Sequence, residues 1–330
     1  MMKNNYYIMR EGVLKRDENT VYFENEEGKR AIPVEKIHSI YAYKSLSLTH
    51  GVIALLCKYG VPVHFFGWYG NYEGTLWPKE SLPSGDVVIH QAEHYLDGEK
   101  RVYLARMFVR GGILNIARNL AYYSSERAEL KEYLELAQRE AERLDQYTSI
   151  PQLMSAEGHV RDAYYEALDM IMPEEFRIGT REKRPPTNKG NALISFGNGI
   201  MYASVLSEIY NTHLNPTISF LHEPYERRFS LALDLAEIFK PVIVDRIILK
   251  LANKRMLGDE HFMGEVGNMA LSDAGKRVFL EEYNTKMSTT IKHKGLGREV
   301  SYQRLIRLEC YKLEQHIIGG RRYRPLIMWW

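Results

Sequence analysis

The segment from His222 to Arg246, HEPYERRFSLALDLAEIFKPVIVDR, constrains this chain more than any other. It opens on a histidine and runs into a strongly apolar stretch in which Asp234, Glu237 and Asp245 are embedded. Read as a helix, it puts Asp234 and Glu237 on one face, because residues three apart are neighbours there. Asp245 lies eleven residues beyond Asp234, close to three full turns, and falls near the same line. Carboxylates set among Leu231, Leu233, Leu235, Ile238, Phe239, Val242 and Val244 cannot all face water. Burying an ionised carboxylate is costly unless it is paired or holds a metal. Pro241 cannot donate to the carbonyl of Glu237, its partner one turn back, so a kink is expected beside the second carboxylate.

A second carboxylate shows the same anomaly. SIPQLMSAEGHVRDAYYEALDMIM reads as a helix, with Ser149 as N-cap and Pro151 tolerated in the first turn. Its apolar stripe runs through Leu153, Met154, Val160, Tyr164, Leu168 and Ile171, and Glu157 falls on that stripe. A helical glutamate is ordinarily solvated. At this position the competing structural reading is a buried ion pair, for instance with Arg161.

His222, in the short apolar loop ISFLHEP, would alone be an ordinary structural histidine. Beside inward carboxylates on separate helices it completes a hard, mixed nitrogen and oxygen donor set of the kind that suits Mn²⁺ or Mg²⁺. A zinc site more often recruits cysteines or several histidines. Open positions on such an ion are what a phosphodiester needs, since the ion withdraws charge from phosphoryl oxygens and lowers the pKa of an attacking hydroxyl or water.

Composition narrows the class. At 330 residues with 45 % hydrophobic content, the chain can build two domains with real cores. The start, MMKNNYYIMREG, has no apolar signal region and no run approaches a membrane span, so no membrane association is expected. Cys57 and Cys310 are distant singles, which argues against a disulfide framework and for a reducing cytoplasm. Net charge is only +2, so any polyanion contact must come from local patches. One is RIGTREKRPPTNK, residues 177–189, where Arg181, Lys183 and Arg184 are candidate nucleic-acid contacts. The other spans residues 276–324, including KHKGLGR and GGRRYR. Solvated surface is the alternative for both; nearness to the carboxylates and 23 tyrosines able to stack on bases favour nucleic acid.

Along the chain, TVYFEN, KRAIPV, KIHSIYAY and GVPVHFFGW read as strands, with LSLTHGVIALLCKYG a helix-like interruption before the last of them. The polar, Pro- and Gly-containing PKESLPSGD, residues 78–86, marks a domain boundary. Beyond about His90 the pattern is helical. SERAELKEYLELAQREAERLDQ, charge-laced at i,i+4 spacing, is expected to face solvent. In NALISFGNGIMYASVLSEIY the recurrence of Ser195, Gly199 and Ala203 would let a neighbouring helix approach closely. The expected fold is α+β: a β-sandwich-like domain over residues 1–85, then a larger all-α domain over 86–330.

At SAEGHVRDAYYEAL, REKRPPTNKGNALISFGNGIMY and FLHEPYERRFSLALDLAEIFKPVIVDR the sequence resembles the CRISPR-associated integrase of spacer acquisition, the family numbered one among the Cas proteins. Order and approximate spacing match, and the resemblance covers essentially the whole chain. PPTN and DLAEIFKP look like the branch found with type I-B systems. Glu157 and His222 fall where the family has its first metal-binding glutamate and its histidine, and Glu237 corresponds to the final acidic ligand. Asp234 matches an acidic position whose role varies in the family, and is read as a supporting residue.

The resemblance implies a homodimer through the N-terminal domain, with two dimers flanking a dimer of a small second Cas protein in a heterohexamer. It implies capture of short foreign DNA duplexes (protospacers) and metal-dependent joining of their 3′-OH ends to the CRISPR repeat. The same centre would serve as a DNA endonuclease. Two other readings stand beside this one: a general metal-dependent nuclease acting in repair, and a non-enzymatic nucleic-acid-binding scaffold. The scaffold gives no reason for three ionisable groups in apolar settings.

Overall fold

The computed structural model describes residues 3–78, 84–182, 185–224, 229–264 and 267–329. The chain divides into two compact units, Met1–Ser81 and Leu82–Trp330. The division falls inside the PKESLPSGD stretch, ahead of residue 85, where the first helix of the second unit begins.

The first unit runs β1 (Asn4–Ile8), β2 (Gly12–Asp17), β3 (Thr20–Asn25), β4 (Gly28–Pro33), β5 (Ile37–Ala42), β6 (Leu46–Leu48), α1 (His50–Tyr59), β7 (Val63–Phe66) and β8 (Tyr72–Leu76). These strands make two four-stranded sheets, ordered β1-β5-β7-β8 and β4-β3-β2-β6. In the second sheet, β2, β3 and β4 form an antiparallel meander. In the first, β1, β5 and β7 are parallel. Parallel neighbours need a crossover, and α1 lies on the connection between β5 and β7. The helix-like interruption is therefore part of the sheet's wiring. It contributes Val52, Leu55 and Leu56 to a core shared with Leu14, Val21, Ile40 and Val63. Each such burial is worth about 1.5–3 kcal/mol. Gly60 ends α1 at φ 66°, a left-handed cap where its N–H reaches back to the last turn. The strands β1, β2 and β8 went unread in the sequence, β2 ending in Lys15, Arg16 and Asp17; β6, only three residues, corrects the helix-like reading of LSLTHGVIALLCKYG, whose helix begins at His50.

The second unit is mainly helical: α2 (Gly85–Leu96), α3 (Gly98–Ser124), α4 (Lys131–Arg143), α5 (Ile150–Ile171), α6 (Lys189–Tyr210), α7 (Ser230–Phe239), α8 (Arg246–Asn253), α9 (Asp273–Ser288) and α10 (Tyr302–Ile317). It is not purely α. Short antiparallel ribbons pair β9 (Phe262–Met263) with β10 (Ala270–Leu271), and β11 (Thr290–Lys292) with β12 (Glu299–Ser301). α6 is long and apolar enough to cross a membrane, yet 78 % of its apolar window is buried within the unit, as in a core helix. As expected, α4 is largely exposed; it buries only Ala137, Glu140 and Ala141.

α3 is the spine. Asp97 caps it by accepting from the N–H groups of Glu99 and Lys100, and it continues unbroken through Gly111 and Gly112. A Cβ on Gly112 would lie 3.2 Å from the Glu237 carbonyl oxygen, and one on Gly111 2.8 Å from Pro325. The glycine pair thus lets α3 pass against α7 at Glu237. One turn on, Asn115 donates to the carbonyls of Ile238 and Leu326, and Asn119 to that of Pro241. One close approach on α6 is at Gly197, where a Cβ would meet Val244 at 2.5 Å.

The break at Pro241 takes a specific form. α7 stops at Phe239, and Pro241–Asp245 forms one π-helical turn before α8, with Asp245 N–H donating to Lys240 O at 3.0 Å. Proline's missing N–H removes the normal bond to Glu237, and the wider turn absorbs the break. Three carboxylates on one straight helix is therefore not what forms: Asp234 and Glu237 belong to α7, and Asp245 ends the π turn.

Candidate active site

α5 brings Glu157 to the site. Gln152 Oε1 accepts from the backbone N–H groups of Thr148 and Ser149, closing the helix start. The predicted stripe is buried at Leu153, Val160, Tyr164, Leu168 and Ile171, whereas Met154 is exposed. Glu157 sits at the edge of that stripe, with its side chain 28 % exposed.

Arg161 joins the helices. Its Nε–H donates to Glu157 Oε1 at 3.2 Å, and its other arm donates to Glu237 Oε2 at 2.6 Å, 76 residues away in sequence. Lys240 Nζ donates to the second oxygen of Glu237. The ion pair weighed against a functional Glu157 is thus present, and it extends across to α7. Burial would raise the Glu237 pKa, but Lys240 and then Arg161 outweigh it and hold the carboxyl below the usual range.

Asp234 is fully buried and saturated. Its Oδ2 accepts from Phe220 N–H at 2.7 Å and Leu221 N–H at 3.0 Å; its Oδ1 accepts from His222 N–H at 3.0 Å and His222 Nδ1 at 2.8 Å. A carboxylate can only accept, so Nδ1 carries the proton and Nε2 is the ring nitrogen left for other chemistry. Burial disfavours the charged ring, yet Asp234 and then Glu237 hold the His222 pKa above the ordinary histidine value. Asp234 therefore fixes both the backbone of the 220–222 loop and the tautomer of its histidine.

Asp245 lies within electrostatic reach of this group. Burial pushes its pKa up to about 6, against the pull of Arg161 and Lys240. Its Oδ2 has no hydrogen-bond partner among the described residues.

Donor chemistry here fits a divalent cation: two carboxylates already spanned by one guanidinium, an imidazole with a fixed tautomer, and a buried carboxylate oxygen without a donor. Among the described residues no three His, Cys, Asp or Glu side chains are gathered closely enough to hold an ion as they stand. To share one, the side chains of Glu157, His222 and Glu237 would have to draw closer than they stand.

Of the basic candidates, Arg181 is committed to the protein: it donates to Asn191 Oδ1 at 2.8 Å, to Ser195 Oγ at 3.0 Å and to the carbonyl of Glu182. Lys183 and Arg184 lie outside the described residues. The 276–324 stretch is not one continuous basic face, since Lys276 is fully buried and Tyr323 is buried with its hydroxyl on Glu309. Lys240 escaped notice in the sequence, although its place three residues after Glu237 on the same helix was a usable signal. So did Asn115 and Asn119, buried polar residues one turn apart in an apolar helix.

Comparison with known proteins gives the family. The family model for CRISPR associated protein Cas1 matches residues 6–285. The chain belongs to the Cas1 family. A CRISPR-associated protein Cas1 of Methanobrevibacter ruminantium is 52 % identical over 330 residues, covering 100 % of both chains. A CRISPR-associated endonuclease Cas1 of Methanothermobacter thermautotrophicus is 51 % identical, covering 100 % of this chain and 96 % of the relative. Among solved structures, a Cas1 protein from Thermotoga maritima superposes with a TM-score of 0.87 at 37 % identity, covering 98 % of this chain and 99 % of that one. A casposase bound to integration product shares the fold, with a TM-score of 0.85 at 20 % identity over 98 % of this chain and 93 % of that one. Relatives in this family are named CRISPR-associated endonuclease Cas1, and the strand-rich first unit followed by a mainly helical second unit is the Cas1 fold.

Proposed function

We propose that this Cas1 protein joins the 3′-OH ends of short foreign DNA duplexes to the CRISPR repeat by metal-dependent transesterification, with Glu157, His222 and Glu237 holding Mn²⁺ or Mg²⁺. One observation carries the reading: Arg161 already ties Glu157 to Glu237, while saturated Asp234 presents His222 with Nε2 free of that pairing. The bound ion would polarise the scissile phosphate and the incoming hydroxyl. Chain residues do the rest. Asp234 orients His222, and Lys240 and Arg161 place positive charge where phosphoryl oxygens gain negative charge. The 3′-oxygen bonds to phosphorus as the repeat's bridging oxygen departs. One phosphodiester replaces another, so no separate protein nucleophile or nucleotide-binding glycine loop is needed.

The casposase bound to integration product supports an integration-competent fold, and a Cas6-RT-Cas1–Cas2 complex, similar at a TM-score of 0.83 and 16 % identity, supports a small second Cas protein as partner. Homodimerisation through the first unit, a heterohexamer with that partner, a cytoplasmic setting with the DNA, and the type I-B branch belong to the same proposal. Asp234 acts in it as a support that does not ligate the metal, since all four of its contacts are taken within the chain.

A strand-transfer assay tests it, with the small partner, a supercoiled repeat-bearing plasmid and a short duplex. Joined product that disappears in Glu157→Ala supports integration. Metal-dependent hydrolysis without joining would mean a general nuclease, and joining that survives Glu157→Ala would leave the metal assignment without foundation.

A further inference from the structure

The contacts of Arg161 do more than tie two helices. Its guanidinium uses separate nitrogens for Glu157 Oε1 and Glu237 Oε2, the carboxylates assigned above to the metal. Lys240 takes the remaining oxygen of Glu237. Asp234 offers no spare capacity, with two donors on each oxygen. Any ion bound through Glu237 must therefore share an oxygen with a resident cation or displace it.

Geometry makes the competition direct. Oxygens sharing one Mg²⁺ or Mn²⁺ each sit about 2.1 Å from it, hence within about 4 Å of each other. Arg161 already sits in contact with one oxygen of each carboxylate, so an ion shared between them meets a full positive charge beside both ligands. Arg161 is well placed to compete. It is 9 % exposed and follows Glu157 by four residues on α5, the favourable order for a helical ion pair. Guanidinium stays charged at any working pH and binds carboxylates through rigidly placed donors.

We propose that Arg161 is a built-in competitor for the metal: a positioning residue that neutralises Glu157 and Glu237 and thereby sets how tightly this site binds a divalent cation. This rests on the metal assignment above. A purely structural arginine predicts the opposite response to substitution, because losing it would disorder the carboxylates and weaken metal binding.

The test is a titration of the full chain, stripped with EDTA and then dialysed, with Mn²⁺ alone. Free Mn²⁺ is read by electron paramagnetic resonance in the wild type, Arg161→Gln, Arg161→Lys and His222→Ala. Melting temperature is recorded with and without Mn²⁺. Arg161→Gln should bind Mn²⁺ at least about tenfold tighter, because a full positive charge in contact with both ligands is gone. It should melt below wild type in EDTA and gain more from Mn²⁺ than wild type does. Arg161→Lys, whose single ammonium cannot bridge both carboxylates in the same way, should lie between, and it decides the question if Arg161→Gln does not fold. Unchanged or weaker Mn²⁺ binding in the folded variant overturns the proposal. If wild type shows no Mn²⁺ binding that His222→Ala removes, the metal assignment itself falls, and this inference with it.

Discussion

Replacing Asp234 by Asn tests the support under the histidine. The substitution is nearly isosteric, so packing around a fully buried side chain is preserved. What changes is acceptor capacity. Asp234 takes four hydrogen bonds, two on each oxygen. Asparagine has one oxygen, and its NH₂ must face two of those donors. If the amide oxygen keeps Phe220 and Leu221, the N–H and Nδ1 of His222 lose their acceptor; the reverse orientation frees Phe220 and Leu221 instead. Hydrogen bonds to a charged acceptor contribute about 1.5–3 kcal/mol each. Losing two gives about 3–6 kcal/mol, and the partly exposed His222 lets water recover some of it, so about 3 kcal/mol is expected. Metal affinity should fall about 10–100-fold as the ring loses its fixed orientation. The assay is urea unfolding of the helical unit by circular dichroism together with Mn²⁺ titration. Stability within about 0.5 kcal/mol of wild type, with unchanged Mn²⁺ binding, would refute the reasoning.

Four further outcomes are expected. Glu157→Ala, His222→Ala and Glu237→Ala should each abolish strand transfer in a protein that still folds, a loss of at least about 3–4 kcal/mol of transition-state stabilisation, and the double variants should be no worse, since the groups act as a unit. Gly112→Ala places a methyl 3.2 Å from the Glu237 carbonyl oxygen and should cost about 1–3 kcal/mol in a thermal melt, with reduced joining; an unchanged melt would mean α3 and α7 separate freely. His64 is fully buried, and burial lowers its pKa from 6.5 to about 3. The unfolded chain therefore binds the extra proton between those values, and His64's contribution is whole above pH 6.5 and lost as pH falls, by about 2 kcal/mol at pH 5. His64→Gln should flatten that acid-side slope in pH-dependent unfolding, and an identical slope would count against the burial argument. Neutralising Lys183 and Arg184 should flatten the salt dependence of DNA binding by about 0.9 in log–log slope for each duplex phosphate they neutralise, whereas Arg181→Gln, already tied to Asn191 and Ser195, should mainly loosen the start of α6.

What the sequence determined by itself is whatever depends on near neighbours along the chain. Alternating runs marked β3, β4, β5 and β7, a three-to-four residue stripe marked α5, and carboxylates in the apolar run of α7 marked a site, because each signal is complete within a turn or a strand. Pro241 announced a break for the same reason: its missing N–H is a local fact. The tertiary structure alone decided the rest. Sheet order β1-β5-β7-β8 pairs strands distant in sequence, and nothing in any one strand names its partner. Arg161 was legible only as a local partner of Glu157 until packing brought α7 within reach of its second arm. Asp234 could be suspected as an accessory, but its role rests on three backbone N–H groups of a loop folded over it, and backbone donors carry no side-chain signature. Burial made these choices. Once α3 and its glycine pair press against α7, each charge left inside must find an opposite charge or a donor, and which one it finds depends on how the helices pack.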